Sequence, residues 1–125
     1  MDFLEFALIK VDSFRGWELL CEAIAASQSI TKIELNRSWH LTADVLQLIF
    51  DALPLNSHLK EVHMSENLPG IQVEWWSKLV RLTNSLENLT IPPRSLTPDA
   101  CKSLSVALVV NNSLRQLIIH CNSKV

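Results

Sequence analysis

The side chains that could hold a metal ion are His63, His120 and Cys121, because imidazole and thiolate are the usual zinc ligands. A zinc site needs three or four ligands that converge on one point. The two histidines fall on strands two positions apart, so their backbones should lie roughly 10 Å from each other. Cys121 should face away from its neighbour His120. We therefore predict no metal site.

Catalytic motifs are also missing from the sequence. It contains no G-x-S-x-G elbow, no P-loop and no glycine-rich dinucleotide turn, and it has only two glycines in all. No nucleophile, histidine and acid form a recognisable set, and an open repeat surface rarely encloses a substrate pocket. We therefore expect neither an enzyme nor a bound cofactor.

The composition excludes several classes of protein. Hydrophobic residues make up 48% and charged residues 19%, which is ample for a core. The net charge of −2, without a Lys/Arg cluster, argues against nucleic acid, and no apolar run is long enough to span a membrane. The start of the chain does not read as a secretory signal. Three cysteines without a CxxC favour reduced, buried thiols and a cytoplasmic location: Cys21, Cys101 and Cys121.

One apolar pattern, L-x-x-L-x-L with any large apolar residue allowed, recurs along the whole chain. The copies read Phe3-x-x-Phe6-x-Leu8, Ile30-x-x-Ile33-x-Leu35, Leu59-x-x-Val62-x-Met64, Leu86-x-x-Leu89-x-Ile91 and Leu114-x-x-Leu117-x-Ile119. Their starts are 27, 29, 27 and 28 residues apart. Near-constant spacing is the signature of a repeat architecture, and each copy predicts a short strand.

The segments between these strands repeat as well. Counted back from each following strand, four positions are mostly apolar and would share one side of a helix. They are Trp17, Leu20, Cys21 and Ile24; Leu46, Ile49, Phe50 and Leu53; Val73, Trp76, Ser77 and Val80; and Cys101, Leu104, Ser105 and Leu108. Each unit is therefore predicted to lay one helix against its strand.

Polar residues mark the ends of the predicted helices. Each helix ends before a polar pair that suits a turn: Gln28-Ser29, Asn56-Ser57, Asn84-Ser85 and Asn112-Ser113. The run Thr97-Pro98-Asp99 has the cap, first-turn proline and acid of a helix start, and Thr42-Ala43-Asp44 is a looser copy.

One unit cannot bury its own apolar face, so the units must stack. Strand follows helix throughout, which predicts an α/β solenoid with parallel strands on the inside of a curve and helices on the outside. We assign a single domain, residues 1–125, with units at about 3–29, 30–58, 59–85 and 86–113 and a final strand at 114–122.

A 27–29-residue unit with this strand motif, followed by a loop and a helix such as Pro98-Asp99-Ala100-Cys101-Lys102, resembles the ribonuclease-inhibitor-like class of leucine-rich repeats. The resemblance implies a right-handed horseshoe segment and a protein-binding role. It also links the chain to the repeat arrays of nucleotide-binding (NOD-like) receptors of innate immunity. The asparagine that this class carries after its strand is present as Asn67 and Asn122 but replaced by Val11, Ser38 and Arg94.

Strand side chains that alternate with the buried ones should form a binding surface on the concave face. The predicted contact residues are Lys32, Glu34, Asn36, Glu61, His63, Ser65, Asn88, Thr90 and Gln116, with Trp39 and Trp75 as anchors. The leading interpretation is a non-catalytic module for an unidentified protein partner. The alternative is an assembly fragment of a longer array, whose end units pair with another chain.

Overall fold

The computed structural model describes residues 3–5, 11, 13–35, 41–64, 73–92 and 98–119. Five strands alternate with four helices along these residues. The elements are β1 (Phe3–Glu5), α1 (Phe14–Ala26), β2 (Lys32–Glu34), α2 (Ala43–Ala52), a 3₁₀ turn (Leu53–Leu55), β3 (Glu61–His63), α3 (Val73–Leu82), β4 (Asn88–Ile91), α4 (Pro98–Val110) and β5 (Gln116–Ile119).

The five strands form one sheet in the order β1-β2-β3-β4-β5, and every neighbouring pair is parallel. A parallel sheet requires a crossover between successive strands, and here a helix supplies each crossover. The prediction of repeated strand–helix units with a parallel sheet is thus confirmed.

Register follows the sequence repeat. Ile33 of β2 lies beside Val62 of β3, which lies beside Leu89 of β4 and then Leu117 of β5. These residues occupy the same position of the L-x-x-L-x-L motif. The first three are buried together with the inward residues of the helices in one hydrophobic core.

The first copy of the motif is out of phase with our prediction. Phe6 was expected beside Ile33, but the register places Leu4 there and puts Phe3 beside Lys32. Phe3 is consequently 38% exposed instead of buried. Leu4, Phe6 and Leu8 are all apolar with a period of two, so the sequence satisfies the pattern in either phase. A shift of two residues preserves the alternation along the strand, so the pattern alone does not select between the two registers.

Side-chain caps begin two of the helices. The Ser13 hydroxyl accepts a hydrogen bond from the amide of Gly16, 3.0 Å away, and Thr42 accepts one from the amide of Val45 at 3.4 Å. Pro98 begins α4, as the sequence indicated. Thr97, the predicted cap of that helix, lies outside the described residues.

The buried stripe of α4 differs from the predicted one. Leu104 is buried as expected, but Ala100 and Ala107 join it, while Cys101 and Leu108 are exposed. The prediction of a buried Cys101 is therefore wrong. The cause is a change of helix phase, set by the way α4 ends.

Candidate functional site

Alternation along the strands divides their side chains between two environments. In β2 and β3 the central residue is fully buried, whereas its two neighbours remain partly exposed on the opposite side of the sheet. We call that side the open sheet face. Its described members are Phe3, Lys32, Glu34, Glu61, His63, Asn88, Thr90, Gln116 and Ile118.

Six of the eleven predicted contact residues lie on this face in neighbouring register positions and remain partly or fully exposed: Lys32, Glu34, Glu61, His63, Asn88 and Gln116. Thr90 lies on the same face but is buried. Asn36, Ser65 and Trp39 fall outside the described residues. Trp75 lies on α3, away from the strands.

Two contacts of Lys32 order the β2 end of the open sheet face. The Lys32 ammonium lies 3.8 Å from the Glu34 carboxylate on its own strand and 5.3 Å from the centroid of the Phe3 ring. A cation above an aromatic face is attracted by the ring quadrupole. Lys32 is thereby held over β1, and its charge is only partly neutralised.

A continuous polar chain runs from Glu61 through His63 to Thr90. The imidazole Nε2 lies 3.1 Å from Oε1 of Glu61, and Nδ1 lies 2.7 Å from the Thr90 hydroxyl. An ionised carboxylate can only accept, so Nε2 carries the hydrogen of that bond. In the neutral imidazole, Nδ1 then accepts from the threonine hydroxyl. The ring is fixed from both sides.

These three hydrogen-bonded side chains have the hydroxyl–imidazole–carboxylate connectivity of a catalytic relay, which the sequence did not indicate. Thr90 is only 6% exposed, and its hydroxyl is engaged by His63. A substrate would have to displace the imidazole before it reached the hydroxyl. In this geometry the hydrogen bonds to Glu61 and Thr90 orient the imidazole of His63 on the surface. The sequence does contain a signal for this contact: Thr90 follows His63 by 27 residues, which is one repeat, so the two residues are expected side by side on adjacent strands.

A second row of charges precedes the strands and was missed by the sequence reasoning. Lys60 lies 3.3 Å from the Glu87 carboxylate, and Arg115 lies 3.8 Å from its other oxygen. These three residues stand immediately before β3, β4 and β5, so opposite charges face one another across adjacent units. Being exposed, each pair contributes at most about 1 kcal/mol. The row orders the edge of the open sheet face.

Trp75 was predicted to be an exposed anchor, but it is half-buried. Its ring centroid lies 5.6 Å from that of Phe50, at an interplanar angle of 38°. Trp76 also packs on Phe50, edge to face at 4.8 Å. Phe50 belongs to α2, so both tryptophans link α3 to the preceding helix. Trp17 and Trp76 are buried, as predicted.

The two described cysteines are free thiols in different surroundings. Cys21 is buried on α1, and desolvation raises the pKa of its thiol from 9.0 to about 11. A thiol of such high pKa is a poor nucleophile at neutral pH. Cys101 is exposed on α4. Cys121 lies outside the described residues.

Metal ligands do not converge in the part of the chain that the structure describes, where no three His, Cys, Asp or Glu side chains form a group able to hold an ion. Within the same ranges, none of the helices combines the length and the apolarity needed to cross a membrane.

A solved structure with a similar fold is the C-terminal domain of tropomodulin from Caenorhabditis elegans. The TM-score is 0.67 at 13% sequence identity, over 86% of this chain and 66% of that chain. No protein-family model matches the sequence, and no curated protein matches it either. The chain thus has a leucine-rich-repeat-like α/β fold and spans about 66% of the length of its structural neighbour.

Proposed function

We propose that this protein is a non-catalytic protein-binding module whose partner contacts the open sheet face. The observation that carries the proposal is the alternation of exposure in β2 and β3. Ile33 and Val62 are fully buried, whereas Lys32, Glu34 and Glu61 present charges, and His63 an imidazole, on the other side of the sheet.

The dimensions of this face favour a protein partner. Adjacent strands are about 4.8 Å apart, so the face from β2 to β5 extends roughly 14 Å across the strands. Its charged residues lie on β2 and β3, and uncharged polar residues continue across β4 and β5, so the polar groups are dispersed over the face. Such a surface suits the dispersed polar contacts of a protein interface better than the enclosed pocket of a small molecule.

The charge pattern defines what the partner must supply. Lys32 contributes a cation beside the carboxylates of Glu34 and Glu61, and His63 and Asn88 contribute groups that donate and accept hydrogen bonds. Specificity would come from matching this order of charges. A partner with a carboxylate opposite Lys32 and a cation opposite Glu61 is the best fit.

The proposal extends to the repeat class, the curvature of the sheet and the setting in which the protein acts. We propose a right-handed horseshoe segment of the ribonuclease-inhibitor-like class, in which the open sheet face is concave. We also propose a cytoplasmic location, which rests on the sequence pattern of three cysteines without a CxxC. We propose a role in innate immune sensing, which the sequence resemblance supports.

Two matched triple variants test the assignment of the face. Lys32→Ala/Glu34→Ala/Glu61→Ala removes one cation and two acids from the open sheet face. Arg15→Ala/Glu18→Ala/Glu22→Ala removes the same charges from the exposed side of α1. Immobilised wild type and both variants are incubated with cell extract, and retained proteins are quantified by mass spectrometry after circular dichroism has confirmed folding.

The expected result is a set of proteins retained by the wild type and the α1 variant but lost from the sheet-face variant. Photo-crosslinking from Asn88 should then join the same proteins covalently, whereas crosslinking from Glu18 should not. Equal retention by all three proteins would show that the open sheet face is not the binding surface.

The second candidate function is assembly through the last unit. Val109 of α4 is 84% exposed, and Leu108 and Ile118 are also exposed. The inward residues of β5 are only partly buried, unlike their equivalents in β2, β3 and β4. Light scattering across a concentration series tests this function. A mass that rises with concentration, and falls again in Val109→Asp, would support it, and a constant monomer mass would count against it.

A further inference from the structure

The helix side of the molecule contains a groove that the open sheet face does not involve. It lies between α3 and α4, is open to solvent and has a volume of about 470 Å³. This volume falls within the range of ligand sites in proteins, which is roughly 300–1,000 Å³. Its principal lining residues are Glu74, Trp75, Lys78, Arg81, Lys102 and Val106.

Charge in the groove has the opposite sign to that of the whole chain. Three cations line it against the single carboxylate of Glu74, although the protein carries a net charge of −2. Lys78 is held by Asp51 at 3.1 Å. Arg81 and Lys102 are both exposed, and neither forms an ion pair with another described residue. Two cations on facing helices are therefore available to an anion.

The uncharged lining consists of an aromatic and apolar part, formed by Trp75, Val106 and Ala107, and of the two serines Ser77 and Ser103. Trp75 is positioned by its contact with Phe50, and Val106 is exposed on α4. A ligand that fills this groove would need an apolar group as well as negative charge. A free anion would satisfy only Arg81 and Lys102.

Helix geometry sets the length of such a ligand. Glu74 and Arg81 are seven residues apart on α3, which corresponds to about 10 Å along the helix axis. An extended peptide covers that distance in about three residues. The groove thus matches a short extended segment with carboxylates and one apolar side chain.

We propose that the α3–α4 groove binds an acidic, extended peptide segment of a partner protein. Arg81 and Lys102 bind the carboxylates of the segment from opposite sides, and Trp75 and Val106 contact its apolar side chain. The favoured partner is a protein and not a nucleic acid, because a chain with a net charge of −2 offers little general attraction to a polyphosphate backbone. This site is independent of the proposed open sheet face.

The test is fluorescence anisotropy with a fluorescein-labelled peptide of sequence GDELED. The neutral peptide GNQLQN has the same shape and is the first control. Wild type should bind the acidic peptide, and high salt should weaken binding because the Debye length shrinks to about 3 Å at 1 M. The emission of Trp75, isolated as the difference between wild type and Trp75→Phe, should change on addition of the acidic peptide.

Charge variants locate the site. Arg81→Glu/Lys102→Glu should weaken peptide binding about tenfold or more, because it replaces two attractive charge pairs by repulsive ones. Arg15→Glu/Arg115→Glu changes the net charge equally at exposed positions outside the groove and should keep most of the affinity. Arg81→Lys/Lys102→Arg should retain binding. If the reversal variant does not fold, Arg81→Gln/Lys102→Gln replaces it, with a smaller loss expected.

Several results would overturn the proposal. They are no binding of the acidic peptide, equal binding of the neutral peptide, or equal loss in both charge-reversal variants. Tighter binding of phosphatidylserine vesicles or of a single-stranded oligonucleotide, dependent on Arg81 and Lys102, would assign the groove to another class of ligand. Because Lys32, Glu34 and Glu61 are intact throughout, none of these results bears on the open sheet face.

Discussion

One polar residue closes each turn from a helix to the next strand. It lies three positions before the first apolar residue of the L-x-x-L-x-L motif. This position is occupied by Ser27, Asn56, Thr83 and Asn111. In each case the side-chain oxygen accepts hydrogen bonds from the amides of the second and third residues that follow, at 2.6–3.4 Å. Short polar side chains favour such turns because they satisfy amides that the helix end leaves free.

The two asparagines at this position also join neighbouring units. The Nδ2 group of Asn56 donates to the carbonyls of Ile24, at 2.7 Å, and Ser27, at 3.0 Å. Asn111 donates in the same way to the carbonyl of Val80, at 2.7 Å. Among the described residues at this position, only the two asparagines both close their own turn and donate to the end of the preceding helix, because the amide side chain carries its donor and its acceptor on separate atoms.

Replacing Asn56 by alanine should lower the free energy of unfolding by about 2–4 kcal/mol, because four hydrogen bonds of a buried side chain are lost. Asn84→Ala removes an exposed asparagine from the next turn and should change stability by less than about 0.5 kcal/mol. Urea denaturation followed by circular dichroism measures both. Similar midpoints for the two variants would contradict the role assigned to Asn56.

Sequence reasoning located these turns but marked the residue that closes the turn only at Asn56; Ser27, Thr83 and Asn111 each lie one residue before the marked pair. In the last turn it marked the pair Asn112-Ser113, whereas Asn111 makes the contacts. Two adjacent asparagines are equivalent in a local turn pattern. The choice between them depends on the Val80 carbonyl, 31 residues earlier, which only the stacked structure brings within reach.

At the scale of the element, the way each helix ends determines which of its residues are buried. In α1 the amide of Ser27 bonds to the carbonyl of Ile24, three residues back. In α4 the amide of Asn111 bonds to Ala107, four residues back. Helix α1 therefore ends more tightly than α4, by one residue. Counted back from the turn residue, the buried positions of α4 lie one residue farther away than those of α1.

This shift explains the error in the predicted core of α4. The prediction used the spacing of α1, counted from the following strand, and therefore selected Cys101 and Leu108. The structure buries Ala100, Leu104 and Ala107. Apolar periodicity could not reveal the shift, because α4 is apolar on several sides, with Val106, Val109 and Val110 also exposed.

Two leucines of α4 test the phase of the helix directly. Leu104 is 5% exposed and should cost about 2–4 kcal/mol of unfolding free energy when replaced by alanine, because a cavity remains in the core. Leu108 is 38% exposed, and its replacement should cost less than about 1 kcal/mol. Thermal unfolding of Leu104→Ala and Leu108→Ala, measured side by side, gives the comparison. Because the predicted stripe contains both leucines, similar losses for the two variants would restore it.

At the scale of the whole molecule, the repeat itself made the architecture predictable. A constant spacing of strand motifs, each followed by a helical segment, leaves few alternatives to parallel strands in sequence order. The open sheet face followed from strand alternation, and six predicted contact residues were found there. The burial of Thr90 was not predictable, because it depends on the imidazole of His63 in the neighbouring strand.

Each unit contacts mainly its immediate neighbours, as the helix and strand pairs show. Stability in such a stack is a sum of unit and nearest-neighbour contributions, so local openings need not spread through the molecule. Among the described strands, β3 is flanked on both sides, whereas β1 and β5 each have one neighbour. Amides of β3 should therefore exchange with solvent more slowly than those of β5.

Hydrogen exchange of two asparagine variants tests how far an opening travels. Asn56→Ala weakens the junction between the first two units and should speed exchange in α1, β2 and β3 more than in α4. Asn111→Ala weakens the junction of α3 with the final turn, and should instead speed exchange in α3, α4 and β5. Nearest-neighbour coupling requires these two patterns to differ. Uniform acceleration across all five strands in both variants would mean that the stack opens as one cooperative body, and that the asparagine contacts stabilise the whole molecule instead of their own junctions.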